Sequence, residues 1–185
     1  DVCSSDLALL PSLGARTLHV MKAESPGPII SKLVPRASQT SKILYTIYFG
    51  LTVIMVLCLL LAGMPLYDSL VNAFATAGTG GFSVLNISIG GYHNAVYEVI
   101  IGIFMLLFSV NFALYFLILC GKVKQALQSD ELRFFLVVVA LSVLLISVNI
   151  HSLYPSYLTA LRHAFFQVAT IISTTGFSSV DFDLW

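Results

Sequence analysis

The glycine-rich stretch Ala75–Ser83 reads Ala-Thr-Ala-Gly-Thr-Gly-Gly-Phe-Ser and interrupts an otherwise apolar sequence. Its second half returns 95 residues later, where Ser173–Ser178 reads Ser-Thr-Thr-Gly-Phe-Ser. Each copy follows a long apolar segment and then a short amphipathic segment. The repeating unit is therefore a hydrophobic span, a short helix and a polar glycine loop, which is the layout of a pore loop.

The composition predicts a membrane protein. Hydrophobic residues make up 58% of the chain and charged residues only 10%, whereas about a quarter of the residues in a soluble domain are charged. The net charge is zero, so we expect no basic face and no nucleic-acid partner. Cys3, Cys58 and Cys120 lack metal-ligand spacing, and the scattered histidines and acids form no nucleophile–base pair. Neither an organic cofactor nor an enzymatic activity is expected.

Three apolar segments are predicted to cross the membrane: residues 43–63, 95–120 and 134–153. At about 1.5 Å of rise per helical residue, each is long enough for a hydrocarbon core of about 30 Å. Lysines and arginines cluster in residues 14–42 and 121–133. The positive-inside rule therefore predicts that both loops are cytoplasmic.

The order of these segments predicts how the chain is organised. We expect a short helix at Thr17–Ala23 and interpret Ala8–Leu13 as the tail of a span that begins before this sequence. The predicted regions are residues 1–42 (the end of a preceding span and a cytoplasmic loop), 43–120 (a complete pore unit), 121–133 (a cytoplasmic loop) and 134–185 (an incomplete pore unit).

Two short helices are predicted before the glycine loops. The first runs from Pro65 to Ala77, about three and a half turns, which is too short to cross a bilayer. The second runs from Pro155 to about Ile172. Proline suits the first turn of a helix, where its missing N–H leaves no bond unmade. We therefore expect both helices to re-enter the membrane and to stop partway through it. The partial negative charge at their C-terminal ends would favour a cation at the loops.

The loops have the composition of a cation filter. Glycine permits the positive φ that aims successive carbonyls at one axis, and threonine adds a hydroxyl. Neutral oxygen ligands suit a monovalent ion, whereas a divalent ion would be expected to recruit carboxylates. Non-helical backbone at membrane depth is tolerated only where protein buries it or it lines a watery cavity.

The chain twice contains a span followed by a short helix and a Thr-x-Gly-Phe loop, and this repeated pattern resembles the Trk/Ktr/HKT superfamily of potassium transporters. Within that superfamily, the chain resembles the bacterial potassium-uptake subunits most specifically in two segments, Ala23–Pro28 (Ala-Glu-Ser-Pro-Gly-Pro) and Ala73–Thr76 (Ala-Phe-Ala-Thr). The resemblance extends over residues 8–182. Four such units surround one pore in that family. The resemblance implies an all-α polytopic protein of the bacterial inner membrane that holds the end of unit one, all of unit two, and unit three up to its filter.

The resemblance also implies the ligands and partners. Potassium would be coordinated mainly by the backbone carbonyls of Thr79, Gly80, Gly81, Phe82, Thr174, Thr175, Gly176 and Phe177. The implied partners are membrane lipid, a second copy of the chain in a homodimer, and a cytoplasmic nucleotide-binding regulatory subunit near Arg36. Channel-like flux, proton coupling and sodium coupling all remain open.

The alternative is a non-transporting membrane scaffold or receptor whose glycine loops only reverse the chain. Replacing Gly81 or Gly176 by serine separates the two hypotheses, because only a filter predicts impaired or less selective ion flux in a folded protein. Glu98 and His163 lie near predicted span ends. We expect both to be interfacial residues; the alternative roles are attraction of ions for Glu98 and proton relay for His163.

Overall fold

The structure, a computed structural model, describes residues 37–181 and 185. Thr17–Ala23 and Ala8–Leu13, for which a helix and the tail of a span are expected, lie outside the described residues. The described residues form two compact units, one of residues 37–51 with 111–126 and one of residues 52–110 with 127–181 and 185. Both candidate loops belong to the second unit.

Helices and the turns between them account for the described part of the chain, which confirms the all-α fold class. The α-helices are α1 (Ala37–Leu61), α2 (Leu66–Ala77), α3 (Ala95–Ser109), α4 (Phe112–Leu119), α5 (Val123–Leu127), α6 (Asp130–Ile150) and α7 (Tyr157–Ile172), with short 3-10 helices at Ser88–Tyr92 and His151–Leu153. Lys42–Leu61 and Asp130–Leu153 are long and apolar enough to cross a membrane, and α3 with α4 is a third candidate if the pair counts as one span.

The span predicted over residues 95–120 consists of two helices and not of one continuous helix. Helix α3 ends at Ser109, and Val110 adopts an extended backbone. Asn111 then begins α4, where its side-chain oxygen accepts a hydrogen bond from the Ala113 N–H at 3.0 Å. Asparagine competes for backbone hydrogen bonds and favours helix starts. Hydropathy does not register that competition, so the apolar run looked unbroken.

The loop predicted over residues 121–133 is partly helical. Helix α5 lies inside it, and α6 begins at Asp130, four residues before the apolar run that starts at Phe134. Asp130 and Glu131 occupy the first turn of α6, where negative charge is favourable beside the positive end of the helix dipole. The acids therefore extend the helix beyond its apolar part.

The two short helices lie close to where proline positions predicted them. Pro65 is the N-cap of α2, whereas α7 begins at Tyr157, two residues after Pro155, with Ser156 as its N-cap. The helices have 12 and 16 residues, which correspond to about 18 and 24 Å. Neither reaches the length needed to cross a bilayer of about 30 Å.

Helix α7 packs against both α6 and α3. Its apolar contact with α6 consists of residues spaced four or seven apart, hence on one face of each helix: Val139, Val143, Ile150, Ala160, Ala164 and Val168. Against α3, a Cβ added at Gly102 would stand 2.6 Å from the Phe165 ring. These small residues allow close helix contact and fix the C-terminal end of α7, where the second glycine loop begins.

Candidate functional site

The first glycine loop starts with a hydrogen-bonded turn that closes α2. The Thr79 N–H donates to the Thr76 carbonyl at 3.2 Å. The Gly80 N–H reaches back to the Ala75 carbonyl at 2.7 Å. This pair of bonds is the Schellman arrangement, which satisfies carbonyls at a helix end and needs one residue in the left-handed conformation. Thr79 supplies it, with φ of 48°.

The second loop closes α7 with the same turn, 95 residues later. The Thr174 N–H donates to the Ile171 carbonyl at 3.1 Å, and the Thr175 N–H donates to the Thr170 carbonyl at 3.0 Å. Thr174 is left-handed, with φ of 57°. The two copies therefore share their backbone path as well as their residue types.

Both loops then alternate in backbone handedness. The left-handed residues are Thr79 (φ 48°), Gly81 (65°), Thr174 (57°) and Gly176 (85°), and the four residues that follow them stay outside that region: Gly80, Phe82, Thr175 and Phe177. In a regular strand successive residues face opposite ways. Alternation between positive and other φ values can instead turn successive carbonyls toward the same side, which is what a row of ion ligands requires.

The left-handed conformation of the two threonines was not predicted from the sequence. Positive φ was expected of glycine, because a β-branched residue rarely adopts it and does so at a cost of about 1–2 kcal/mol. Thr79 and Thr174 nevertheless both do. The available signal was their identical position in the two copies. Residues with such strained backbone conformations are concentrated at functional sites, where the surrounding structure maintains the conformation.

The carbonyl oxygens of the eight predicted ligand residues have no hydrogen-bond donor within the part of the chain that the structure describes. A carbonyl in apolar surroundings without a donor, water or ion costs several kcal/mol. The helix-end bonds go to carbonyls earlier in α2 and α7. Residues 79–82 and 174–177 therefore keep their carbonyl oxygens available as ligands.

The structure brings the two loops into contact. A Cβ added at Gly81 would collide with the backbone carbonyl oxygen of Thr175 and would lie 3.2 Å from the Gly176 carbonyl carbon. A Cβ added at Gly176 would meet no atom within 4 Å in the part of the chain that the structure describes. Gly81 is therefore required by a neighbouring backbone, whereas the equivalent position in the second loop faces open space.

The phenylalanines that end the two motifs lie in different surroundings. Phe82 is 77% exposed, whereas Phe177 is 1% exposed. Their carbonyl oxygens remain candidates as ligands, but only the Phe177 ring is part of the core. Identical motif positions thus carry one surface side chain and one buried side chain.

The segments that follow the two loops are hydrogen-bonded to each other. The Gly90 N–H donates to the Ser178 carbonyl at 3.1 Å, and the Ser178 N–H donates to the Ser88 hydroxyl oxygen at 3.2 Å. A Cβ added at Gly90 would collide with the Ser179 carbonyl oxygen. The loops are therefore joined at a second place, beyond the candidate ligands.

A polar contact also holds the chain after the first loop to α2. The Tyr92 hydroxyl donates to Asp68 Oδ2 at 3.0 Å and accepts from the Asn72 side-chain amide at 3.3 Å. Burial raises the pKa of the Tyr92 hydroxyl, so the group stays protonated and continues to donate. The 3-10 turn at Ser88–Tyr92 is thus fixed to the start of the first short helix.

Glu98 and His163, which are expected to be interfacial, are both buried against other parts of the chain. They are only 4% and 6% exposed, and Glu98 forms an ion pair with Arg162, with Oε2 and Nε 3.0 Å apart. Buried carboxylates require such partners. A partner on a distant helix cannot be recognised from the position of a residue in the sequence, so the burial of both residues was missed.

Comparisons with known proteins point to one family. The profile of TrkH, described as a cation transport protein, matches residues 4–185. The chain is 37% identical over 183 residues to the Trk system potassium uptake protein TrkH of Salmonella typhimurium and 38% identical to that of Halomonas elongata, in each case over 97% of this chain. The crystal structure of the potassium transporter TrkH from Vibrio parahaemolyticus matches with a TM-score of 0.80 and 27% identity over 98% of this chain.

These relatives are longer than the chain. The matches cover 38% of each of the two uptake proteins and 38% of the chain in the crystal structure.

Proposed function

The chain belongs to the TrkH family of cation transport proteins, and we propose that it forms part of a potassium-conducting pore whose filter includes both glycine loops. The apolar helices and the family together indicate a membrane protein. Potassium is the proposed substrate, since the two uptake proteins from Salmonella typhimurium and Halomonas elongata carry that ion in their names.

One observation carries the proposal: two touching loops repeat the same alternating backbone and leave eight carbonyl oxygens without donors from the described chain. In such a filter the carbonyls replace the hydration shell of the ion. We assign the ligand role to Thr79, Gly80, Gly81, Phe82, Thr174, Thr175, Gly176 and Phe177.

Electrostatics support a monovalent cation. Helices α2 and α7 end at the loops, and helix C-termini carry a partial negative charge. Residues 78–83 and 173–179 contain no ionisable acid or base. A divalent ion would favour carboxylate ligands, whereas neutral carbonyls and a partial charge suffice for a large monovalent ion.

We further propose a location and partners for the whole protein. It would lie in the bacterial inner membrane, with residues 14–42 and 121–133 on the cytoplasmic side because both carry clustered cations. It would function as a homodimer with a cytoplasmic nucleotide-binding regulatory subunit. Lys122 and Lys124, both exposed in and beside α5, offer that subunit a basic contact surface.

Rubidium uptake by the full-length protein tests the proposed function. The host cells should lack their own potassium uptake systems, and the variant Gly176→Ser should be compared with wild type at matched membrane amounts. A Cβ at position 176 meets no atom of the described residues within 4 Å, so we expect the variant to reach the membrane. We expect reduced rubidium uptake or weaker discrimination against sodium.

The matched control is Gly50→Ser. Gly50 lies within α1, and a Cβ there also meets nothing within 4 Å. Its uptake should equal that of wild type. Unchanged uptake and selectivity in Gly176→Ser would contradict the filter assignment and favour a membrane scaffold whose loops only reverse the chain.

A further inference from the structure

A buried polar cluster lies beside the second loop. Arg162 Nε approaches Glu98 Oε2 at 3.0 Å, and His163 Nδ1 lies 3.7 Å from the same oxygen. His163 Nδ1 is also 3.3 Å from the Ser179 hydroxyl oxygen. The Glu98 side chain is 5% exposed and that of Arg162 28% exposed. The cluster therefore excludes most water, and its charges interact strongly.

Geometry fixes the proton on the histidine. Arg162 Nη2 lies 3.3 Å from His163 Nε2, and a guanidinium only donates. Nε2 must therefore accept, which assigns the ring proton to Nδ1. The Nδ1–H then donates to the Ser179 hydroxyl oxygen, and the Tyr154 ring packs on the imidazole with centroids 5.1 Å apart.

The cluster connects the chain on both sides of the candidate filter. Glu98 lies in the first turn of α3, the helix that follows the first loop. Arg162 and His163 belong to α7, which precedes the second loop. Ser179 comes two residues after Phe177, the last proposed ligand. One ion pair thus joins the two repeated units, and one hydrogen bond connects α7 to the segment directly behind the second loop.

The first loop has a similar contact at the same register. His163 follows Asp68 by 95 residues, the repeat interval, and Asp68 accepts from Tyr92 in the chain beyond the first loop. In both copies, the same position on the short helix holds the segment that leaves the loop. Only the second contact is extended by a carboxylate from the other unit, which is Glu98.

Glu98 holds this arrangement electrostatically. The Arg162 Nε–H is not aligned for a hydrogen bond to the carboxylate, so charge attraction provides the contact. Removing the charge on Glu98 would leave Arg162 without its partner in a low-dielectric environment, where an unpaired ion is costly. Arg162 would turn toward solvent, and His163 would lose the guanidinium donor that holds its Nε2 and so orients Nδ1 toward Ser179.

We propose that Glu98 is a positioning residue for the second loop and, through Arg162, His163 and Ser179, sets the discrimination between potassium and sodium. The inference rests on the proposed function. Ion selectivity depends on the number and placement of filter carbonyls. A loop released at Ser179 allows the carbonyls of residues 174–177 to approach a smaller ion, so sodium would compete better.

The test measures rubidium uptake by the full-length protein with increasing sodium. In Glu98→Gln we expect sodium to inhibit at about tenfold lower concentration, equivalent to about 1.4 kcal/mol, together with an altered KM for rubidium. Glu98→Asp, which keeps the charge, should restore part of the selectivity. Asp130→Asn, which removes an exposed carboxylate in the first turn of α6, should match wild type.

A merely structural role would lower the maximal rate in proportion to the amount of folded protein and leave KM and sodium inhibition unchanged. That outcome would overturn the inference while wild-type uptake still upheld the proposed function. Absence of rubidium uptake by wild type would remove both. If Glu98→Gln fails to reach the membrane, Ser179→Ala decides, because it removes only the last contact and should shift sodium inhibition in the same direction.

Discussion

The two glycine loops have the same backbone and different neighbours. Gly81 and Gly176 are both left-handed, yet a side chain at position 81 would strike the Thr175 carbonyl oxygen and one at 176 would meet nothing within 4 Å. The phenylalanines show the opposite pattern, since Phe82 in the first loop is exposed and Phe177 in the second loop is buried. The repeated motif therefore specifies the path of the chain, whereas packing decides which position tolerates change.

The largest expected effect on stability is that of Phe177→Ala. The side chain is 1% exposed, and truncating a buried phenylalanine lowers the free energy of unfolding by about 3–5 kcal/mol. Phe82→Ala, at the equivalent exposed position, should change it by less than about 1 kcal/mol. Thermal unfolding of the two purified variants checks this order. Equal losses would contradict the different packing of the two rings.

Gly81→Ala should have the next largest effect on stability. Left-handed backbone costs a residue with a Cβ about 1–2 kcal/mol, and crowding against the Thr175 carbonyl adds about 1–3 kcal/mol. Because that carbonyl is itself a proposed ligand, the variant should also lose rubidium uptake. Uptake and melting temperature should be measured on the same preparation. A variant as stable and active as wild type would show that the two loops do not touch.

Gly176→Ala should cost less than Gly81→Ala. Its φ of 85° is strained for alanine, which accounts for about 1–2 kcal/mol, but open space removes the crowding. The difference in melting temperature between the two alanine variants therefore measures the contact between the loops. Gly50→Ala, in a helix with no atom near the added methyl group, provides the baseline. A larger loss at position 176 than at 81 would reverse the comparison.

The smallest expected effect is that of Tyr92→Phe. The change removes the hydroxyl that joins Asp68 and Asn72, and the loss of such bonds costs about 1 kcal/mol. Tyr67→Phe, on the same helix as Asp68 and 68% exposed, is the control. In thermal unfolding, the melting temperature of Tyr92→Phe should be lower than those of the control and of wild type. No difference between them would mean that this contact does not hold the first loop.

The sequence predicted the parts of the fold that depend on local patterns. Pro65 and the apolar lengths located the short helices and the first and third spans, and the repeated Thr-x-Gly-Phe located both loops. The break at Asn111 was missed because one side-chain cap outweighs a continuous apolar run. The left-handed Thr79 was missed because propensity favours glycine there.

The surroundings of the loops depend on contacts between distant parts of the chain. Glu98 and Arg162 are 64 residues apart, and nothing in either local sequence indicates that they pair. The contact between Gly81 and Thr175 and the burial of Phe177 have the same origin. These features require the packing of α3 and α7, which no single-sequence pattern specifies.

The most direct test of the central claim is anomalous diffraction from crystals of the full-length protein grown in rubidium. If both loops form one filter, rubidium peaks should lie beside the carbonyl oxygens of residues 79–82 and of residues 174–177, with each loop contributing ligands. Well-ordered loops with no rubidium beside either set of carbonyls, at a concentration that supports uptake, would contradict the account.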